Sequence, residues 1–418
     1  MDVEKIKRQV RQEISMWVGG ESEFTRDFVQ KRARQIFENM QKNKEYALDL
    51  DNSTREKIIG SLCDDFLGLG PLQKLMEDEE ITEIMVNGPY NVYIEKEGKK
   101  TLSDIKFDNE AHLRYIIEKM LSPTGRRVDE SFPYADFSLE DGSRVNVIIP
   151  PLTIGGAKVT IRKFLQSLVK VEDLIRLGTI DVRMAEFFVA CIRAGVNILF
   201  SGATGSGKTT TLGILSSYLS PQERIITIED APELVLNQNH VVRLFTRPSN
   251  IEGKGSVPLR NLFRNTLRMR PTRVILGEIR GEEAMDYLQA LNSGHRGCLA
   301  IIHASSPLVA ITRLETMALY AGLNLPPWAI RQQISSGLDL IVQQEQLFDG
   351  SRKITYITEV GSLKENQITL RDIFRYEEED QGDSKIKGAF KAKGVPDFYP
   401  LFKKKGIDIK KDIFGAVT

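Results

Sequence analysis

Cysteine is scarce in this chain of 418 residues: only Cys63, Cys191 and Cys298 occur, far apart and in no CxxC pair. That pattern excludes a disulfide framework and a paired-cysteine zinc element, and it points to a reducing compartment. Excess charge is missing as well, because 57 Lys and Arg balance 57 Asp and Glu. Without a bulk positive field, the chain lacks the electrostatic footprint of a general nucleic-acid binder. Long apolar runs are also absent; no stretch approaches the roughly 20 residues that span a bilayer. The opening segment, "MDVEKIKRQVRQEISMW", sets charges among apolar residues at helical spacing and lacks the apolar centre of a signal peptide. A cytoplasmic protein follows, one that would sit at the inner face of the cytoplasmic membrane only by way of partners.

What is present divides the chain into parts. With 41% hydrophobic residues it can bury a large core. Residues 1–78 place Ile, Val, Leu and Phe at spacings of three and four, as helices do, with a break at Gly68 to Pro71. From 79 to 165 the period shortens: "EIMVNG", "NVYIEKEGKK" and "SRVNVIIPP" are short β-rich runs around one helix, "NEAHLRYIIEKML", giving a small α+β domain. A linker at 166–172 leads to residues 173–348, where the strands "NILFS", "RIITIED", "RVILGE" and "LAIIHA" alternate with helical stretches. That alternation predicts an α/β fold with a parallel sheet. Residues 349–418 hold a hairpin around "KITYITEV" and then a charged extension, "EEEDQGDSKIKGAFKAKG", expected to be solvated.

The strongest signal is "NILFSGATGSGKTTTLGIL", an apolar strand running into G-x-x-x-x-G-K-T and then a helix. Gly202, Ala203, Thr204, Gly205, Ser206, Gly207, Lys208, Thr209 and Thr210 form the phosphate cradle. Backbone N–H groups converge there on phosphate oxygens, Lys208 reaches the β and γ phosphates, and Thr209 ligates Mg²⁺. The substrate is therefore a nucleoside triphosphate. A carboxylate must manage the attacking water, and Glu278, ending the strand of "RVILGEIRG", is the candidate. Glu229 and Asp230 close the strand "RIITIED" and are read as a carboxylate on the metal and its water and a residue behind it, or as acids capping the next turn. In "RNLFRNTLRMRPTR", Arg260, Arg264 and Arg268 share a helix face by their spacing of four. Arg268 and Arg270 are expected near the active end of the sheet, for subunit contacts or charge neutralisation. His295 and His303 flank Cys298 in "NSGHRGCLAIIHA", but three ligands across a strand fall short of a tetrahedral zinc site.

These segments resemble the secretion-superfamily ATPases of type II and type IV systems, and within them the CpaF/TadA type that drives tight-adherence pilus assembly. The resemblance rests on "GLGPLQKLMEDEEITEIMVNGP", "GRRVDESFPYADFSLEDGSRVN", "VTIRKF", "GATGSGKTTTL", "ITIEDAPEL", "LRMRPTRVILGEIRGEEAMDYLQALNSGH" and "IIHA" in family order. It implies a homo-hexamer that docks on inner-membrane platform proteins of a pilus or secretion machine, with ATP and Mg²⁺ held by a RecA-like P-loop domain preceded by a PAS-like domain. It also implies that Glu229 and Glu278 serve metal and water, and that Arg144 and Arg162 extend toward the γ-phosphate. On the same basis His303 senses that phosphate and His295 links to the neighbouring domain. The histidine segment departs from the family's usual Thr-Ile-His-Ala-Asn: Ile301, Ile302, His303, Ala304 and Ser305 stand there, and Arg296 replaces a common acid. Export of protein or DNA, and a RecA-like nucleic-acid motor, are the competing functional expectations.

Overall fold

The computed structural model describes residues 3–16, 25–42, 51–96, 98–164, 170–247, 249, 254–378 and 388–415. The chain divides into two compact units, Met1–Leu165 and Gln166–Thr418. The first unit opens with helices α1 (Val3–Ser15), α2 (Arg26–Lys42) and α3 (Asn52–Leu67). Their apolar stripes meet in one cluster that includes Ile6, Val10, Val29, Phe37, Ile59 and Leu62. Asp51 caps α3 by accepting from the Thr54 amide, and the helix stops at Gly68, as the Gly-Pro break predicts. After the short α4 (Gln73–Glu77) come β1 (Ile81–Asn87), β2 (Val92–Lys96), β3 (Lys99–Leu102), α5 (Glu110–Leu121), β4 (Tyr134–Ser138), β5 (Arg144–Ile148) and β6 (Lys158–Arg162). They build an antiparallel sheet in the order β3-β2-β1-β6-β5-β4. Inward residues of alternating strands, among them Ile84, Val86, Val145, Val147 and Ile161, pack with Leu113, Ile116 and Ile117 of α5. The α+β reading therefore holds for these residues, although the helices before them belong to the same compact unit.

The second unit begins with α6 (Val171–Arg176) and α7 (Val182–Ala194), then β7 (Ile198–Ser201), α8 (Lys208–Ser216), β8 (Ile225–Glu229) and β9 (Val241–Phe245). It continues through α9 (Leu259–Thr266), β10 (Arg273–Ile279), α10 (Glu283–Asn292), β11 (Leu299–Ile302), α11 (Pro307–Leu319), α12 (Pro327–Gly337) and β12 (Leu340–Gln346). Strands β13 (Arg352–Lys364), β14 (Gln367–Glu378) and β15 (Gly388–Ala392) and helix α13 (Pro400–Lys404) complete it. One nine-stranded sheet results, ordered β15-β14-β13-β12-β7-β11-β10-β8-β9. Strands β12, β7, β11, β10, β8 and β9 run parallel and the last three antiparallel.

Both faces are covered, which explains the nearly continuous apolar strands. Ile198 and Phe200 point into a cluster with α7 and α8, while Leu199 points into another with α10, α11 and α12. Each such side chain contributes about 1.5–3 kcal/mol on burial.

Two expectations change. The linker reading for 166–172 falls mostly on residues 165–169, outside the described residues, and Val171 already opens a helix. The hairpin expected around "KITYITEV" forms as β13 and β14 and extends the central sheet, while the charged run expected to be solvated ends in β15, paired with β14. Phe402, Ile413 and Phe414 pack against Phe187 of α7 in the main core, with Phe187 and Phe414 5.5 Å apart edge to face. Residues 379–387 of that charged run lie outside the described residues.

Candidate active site

Strand β7 is central, and the loop it enters is the P-loop. The turn into α8 needs a left-handed residue, and Gly207, with φ 96°, supplies it as the helix N-cap. Gly202 is required for space, since a Cβ there would collide with the carbonyl oxygen of Gln344 on β12. Arg352, on β13, donates from Nε to the Gly205 carbonyl at 3.0 Å and braces the loop from the other side.

Lys208 is 5% exposed. Its Nζ donates to the carbonyls of Gly202 at 2.9 Å and Ala203 at 2.6 Å and lies 3.5 Å from Nδ1 of His303. Such a cradle, with a buried ammonium and a loop whose backbone curls around it, fits a polyphosphate. Thr209, half-buried and next in α8, fits the hydroxyl ligand of a divalent cation.

His303 directly follows β11, the strand beside β7. Its Nε2 lies 3.2 Å from Oε1 of Glu278. Burial, the Lys208 charge and Arg280 lower its pKa, while Glu278 opposes them less strongly. The ring is therefore neutral at pH 7, and its surroundings assign the tautomer: Nε2–H donates to Glu278 and Nδ1 faces Lys208.

Glu278 sits on an irregularity in β10. Between the pairs Leu276↔Ala300 and Ile279↔Ile302, β10 takes three steps where β11 takes two, so Gly277 and Glu278 bulge. A bulge frees a residue from the ladder and re-aims its side chain. Burial opposes ionisation of Glu278, but the hydrogen bond and charge of Arg280, aided by His303 and Lys208, hold its carboxyl below the usual range. Arg280, just past the end of β10, reaches Oε2 of Glu278 at 2.7 Å and Oδ2 of Asp230 at 3.0 Å.

Other expected residues fall elsewhere. Glu229, 2% exposed, accepts from the amides of Glu233 and Leu234 at 2.9 and 2.8 Å, from the Thr227 hydroxyl at 3.1 Å and from Arg243 at 3.4 Å. Its carboxylate thus pins the turn after β8, and the expected metal and water role does not fit this geometry unless those bonds are given up. Helix α9 ends at Thr266, so only Arg260 and Arg264 share a helical face, both bound to Asp286 of α10 at 2.8 and 2.7 Å. Arg268 and Arg270 precede the start of β10 and lie at the end of the sheet opposite the P-loop, because the strand runs away from them. The expectation that they approach the active end is corrected. His295 precedes β11, with its Nδ1 3.2 Å from Ser293 Oγ, while His303 follows that strand, so the two histidines stand at its opposite ends. Arg144 and Arg162 belong to the first unit, where they face each other across β5 and β6.

Sequence reasoning missed Arg280, Gln344 and Arg352. Arg280 stands just past the end of β10, two residues beyond the singled-out Glu278, and none of the three carries a local signal.

A parallel α/β sheet with this loop, lysine and strand-end carboxylate defines a P-loop ATPase. The chain belongs to the type II/IV secretion system protein family, whose profile matches residues 65–370. It is 31% identical over 296 residues to a putative conjugal transfer protein of Mycobacterium tuberculosis, covering 69% of this chain and 84% of that one. It is likewise 31% identical to the type IV secretion system protein VirB11 of Bartonella henselae, over 69% of this chain and 91% of that protein. Among solved structures, the VirB11 ATPase of the Brucella suis type IV secretion system in complex with sulphate is 29% identical, covers 70% of this chain and 93% of that one, and has a TM-score of 0.38. No helix among the described residues is long and apolar enough to cross a membrane.

Proposed function

We propose that this chain is a hexameric motor of the tight-adherence pilus type, hydrolysing ATP to drive assembly or secretion through an inner-membrane platform. The observation that carries the chemical part is the run from Lys208 through His303 to Glu278 across the ends of three neighbouring elements. Glu278 is the base: it takes a proton from the water whose oxygen attacks the γ-phosphorus, as the bond to the β–γ bridging oxygen breaks and ADP leaves. Lys208 neutralises charge that builds on the phosphate oxygens. His303, neutral and bonded to both, reports on the phosphate by linking the ammonium's position to that of the base.

Thr209 is the ligand for Mg²⁺, which when bound would offset phosphate charge; Glu229 serves instead to shape the adjoining turn. Arg144 and Arg162 are assigned to the γ-phosphate as charge stabilisers, supported by the family resemblance and by their side-by-side register. Asp230 acts behind the base.

Export of protein or DNA is the second reading, favoured by relatives described as conjugal transfer and type IV secretion proteins. The balanced charge speaks against a nucleic-acid motor. Steady-state ATP hydrolysis with mass by light scattering, for wild type and Lys208→Ala, with and without single-stranded DNA, tests these together. Slow turnover by a six-fold assembly, lost in the variant and indifferent to DNA, is expected; strong DNA stimulation sinks the pilus reading.

A further inference from the structure

A hydrogen-bonded line crosses the carboxyl ends of the parallel strands. Thr246, after β9, donates from Oγ1 to Oδ1 of Asp230 at 3.1 Å. Asp230, after β8, holds Arg280 at 3.0 Å; Arg280, after β10, holds Glu278 at 2.7 Å; and Glu278 meets His303, after β11, at 3.2 Å. The line ends on Lys208 of the P-loop. Each member comes from a different strand end, except the Arg280 and Glu278 pair. The bulge is the point of need: released from the ladder at Gly277 and Glu278, the carboxylate has no backbone register to aim it.

We infer that Arg280 is a positioning residue for hydrolysis, its guanidinium spanning Asp230 and Glu278 so that the base is fixed toward His303 and the P-loop. The inference rests on Glu278 being the base. Arginine suits the task, because its planar fork holds two carboxylates at once without changing protonation. The Arg280 guanidinium is held by Glu278 and Asp230, so it acts through Glu278. Glu233 adds a further negative charge near Arg280. Roughly half of the Arg280 side chain is exposed, so replacing it leaves the buried core untouched.

The test is kcat and KM for ATP in the full chain, with a fluorescent nucleotide to confirm binding, across Arg280→Gln, Arg280→Lys, Asp230→Asn, Glu278→Gln and Arg280→Gln with Glu278→Gln. For Arg280→Gln, kcat is expected to fall roughly tenfold to a hundredfold, the scale of a misaimed catalytic group, with KM within about twofold of wild type. Lysine should restore part of kcat, Asp230→Asn should cost less than Arg280→Gln, and the double variant should be no slower than Glu278→Gln alone. An unchanged kcat in Arg280→Gln beside a dead Glu278→Gln overturns the inference and leaves the base in place. A raised KM overturns it by putting Arg280 on the nucleotide. Wild-type turnover by Glu278→Gln removes the base itself, and the inference with it.

Discussion

His112 and His303 both lie beside carboxylates, yet their pKa values move in opposite directions. His112, 2% exposed, bonds Asp65 at 3.1 Å through Nε2 and lies 3.3 Å from Asp108 through Nδ1. Burial disfavours its charged form, but two carboxylates outweigh burial, and its pKa is raised. At His303 burial has two allies, Lys208 and Arg280, against the single carboxylate of Glu278, and the pKa is lowered. The comparison teaches that burial pushes both rings the same way, and the charges set beside each decide whether its pKa ends above or below the ordinary value. Around His112, Lys7 and Arg11 complete the set: Arg11 bonds Asp65 at 2.5 Å and Asp108 at 2.9 Å, tying α1 to α3 and to the start of α5. Burial works against ionisation of Asp65 too, but His112, Lys7 and Arg11 hold its carboxyl below the usual range.

The largest expected effect comes from Lys208→Met, which should lower kcat by about 10²–10³-fold, as removal of a transition-state charge partner does. The same variant removes one of the charges that lower the His303 pKa, so that pKa should rise. Titrating the chain's four histidines by NMR checks this, and an unmoved His303 would falsify the argument from neighbouring charges. Next, Asp65→Ala strands buried cations and should destabilise the first unit by about 3 kcal/mol, read by denaturant unfolding. His303→Gln keeps a donor toward Glu278 but blunts the link to Lys208; a kcat loss of about tenfold with KM unchanged is expected in steady-state kinetics.

The smallest effect is on stability against pH. His112's folded pKa lies above 6.5, so its contribution is whole below pH 6.5 and is lost as pH rises through the folded value. His303's folded pKa lies below 6.5, so its contribution is whole above pH 6.5 and is lost as pH falls through the folded value. Hydrogen exchange followed by region from pH 5 to 8 should show the two segments drifting in opposite directions; parallel drift would break the comparison.

The geometry of the candidate nucleotide site was legible because its motif encodes it locally: strand, tight glycine loop and helix follow one another in sequence. Glu278 and His303 were legible because each closes an apolar strand of the same sheet. The rejection of a zinc site fits the fold, since the four residues of β11 separate His295 from His303 by about 13 Å at ~3.3 Å each. Arg268 misled because a spacing of four suggested a helix that stops at Thr266. Gln343 and Gln344 hid β12 by interrupting its apolar run, although both are buried. Arg280 is one of 57 basic residues, and only the bulge beside it, which sequence does not announce, distinguishes it.

The contact between Gly202 and the carbonyl of Gln344 has a bearing on synthesis. During translation the whole phosphate-cradling motif leaves the ribosome well before residues 340–352, which supply the strand beside β7 and the arginine that braces Gly205. The nascent protein thus carries its nucleotide motif for more than a hundred residues before the walls that shape it exist. The loop takes its final shape only once those later residues have been made.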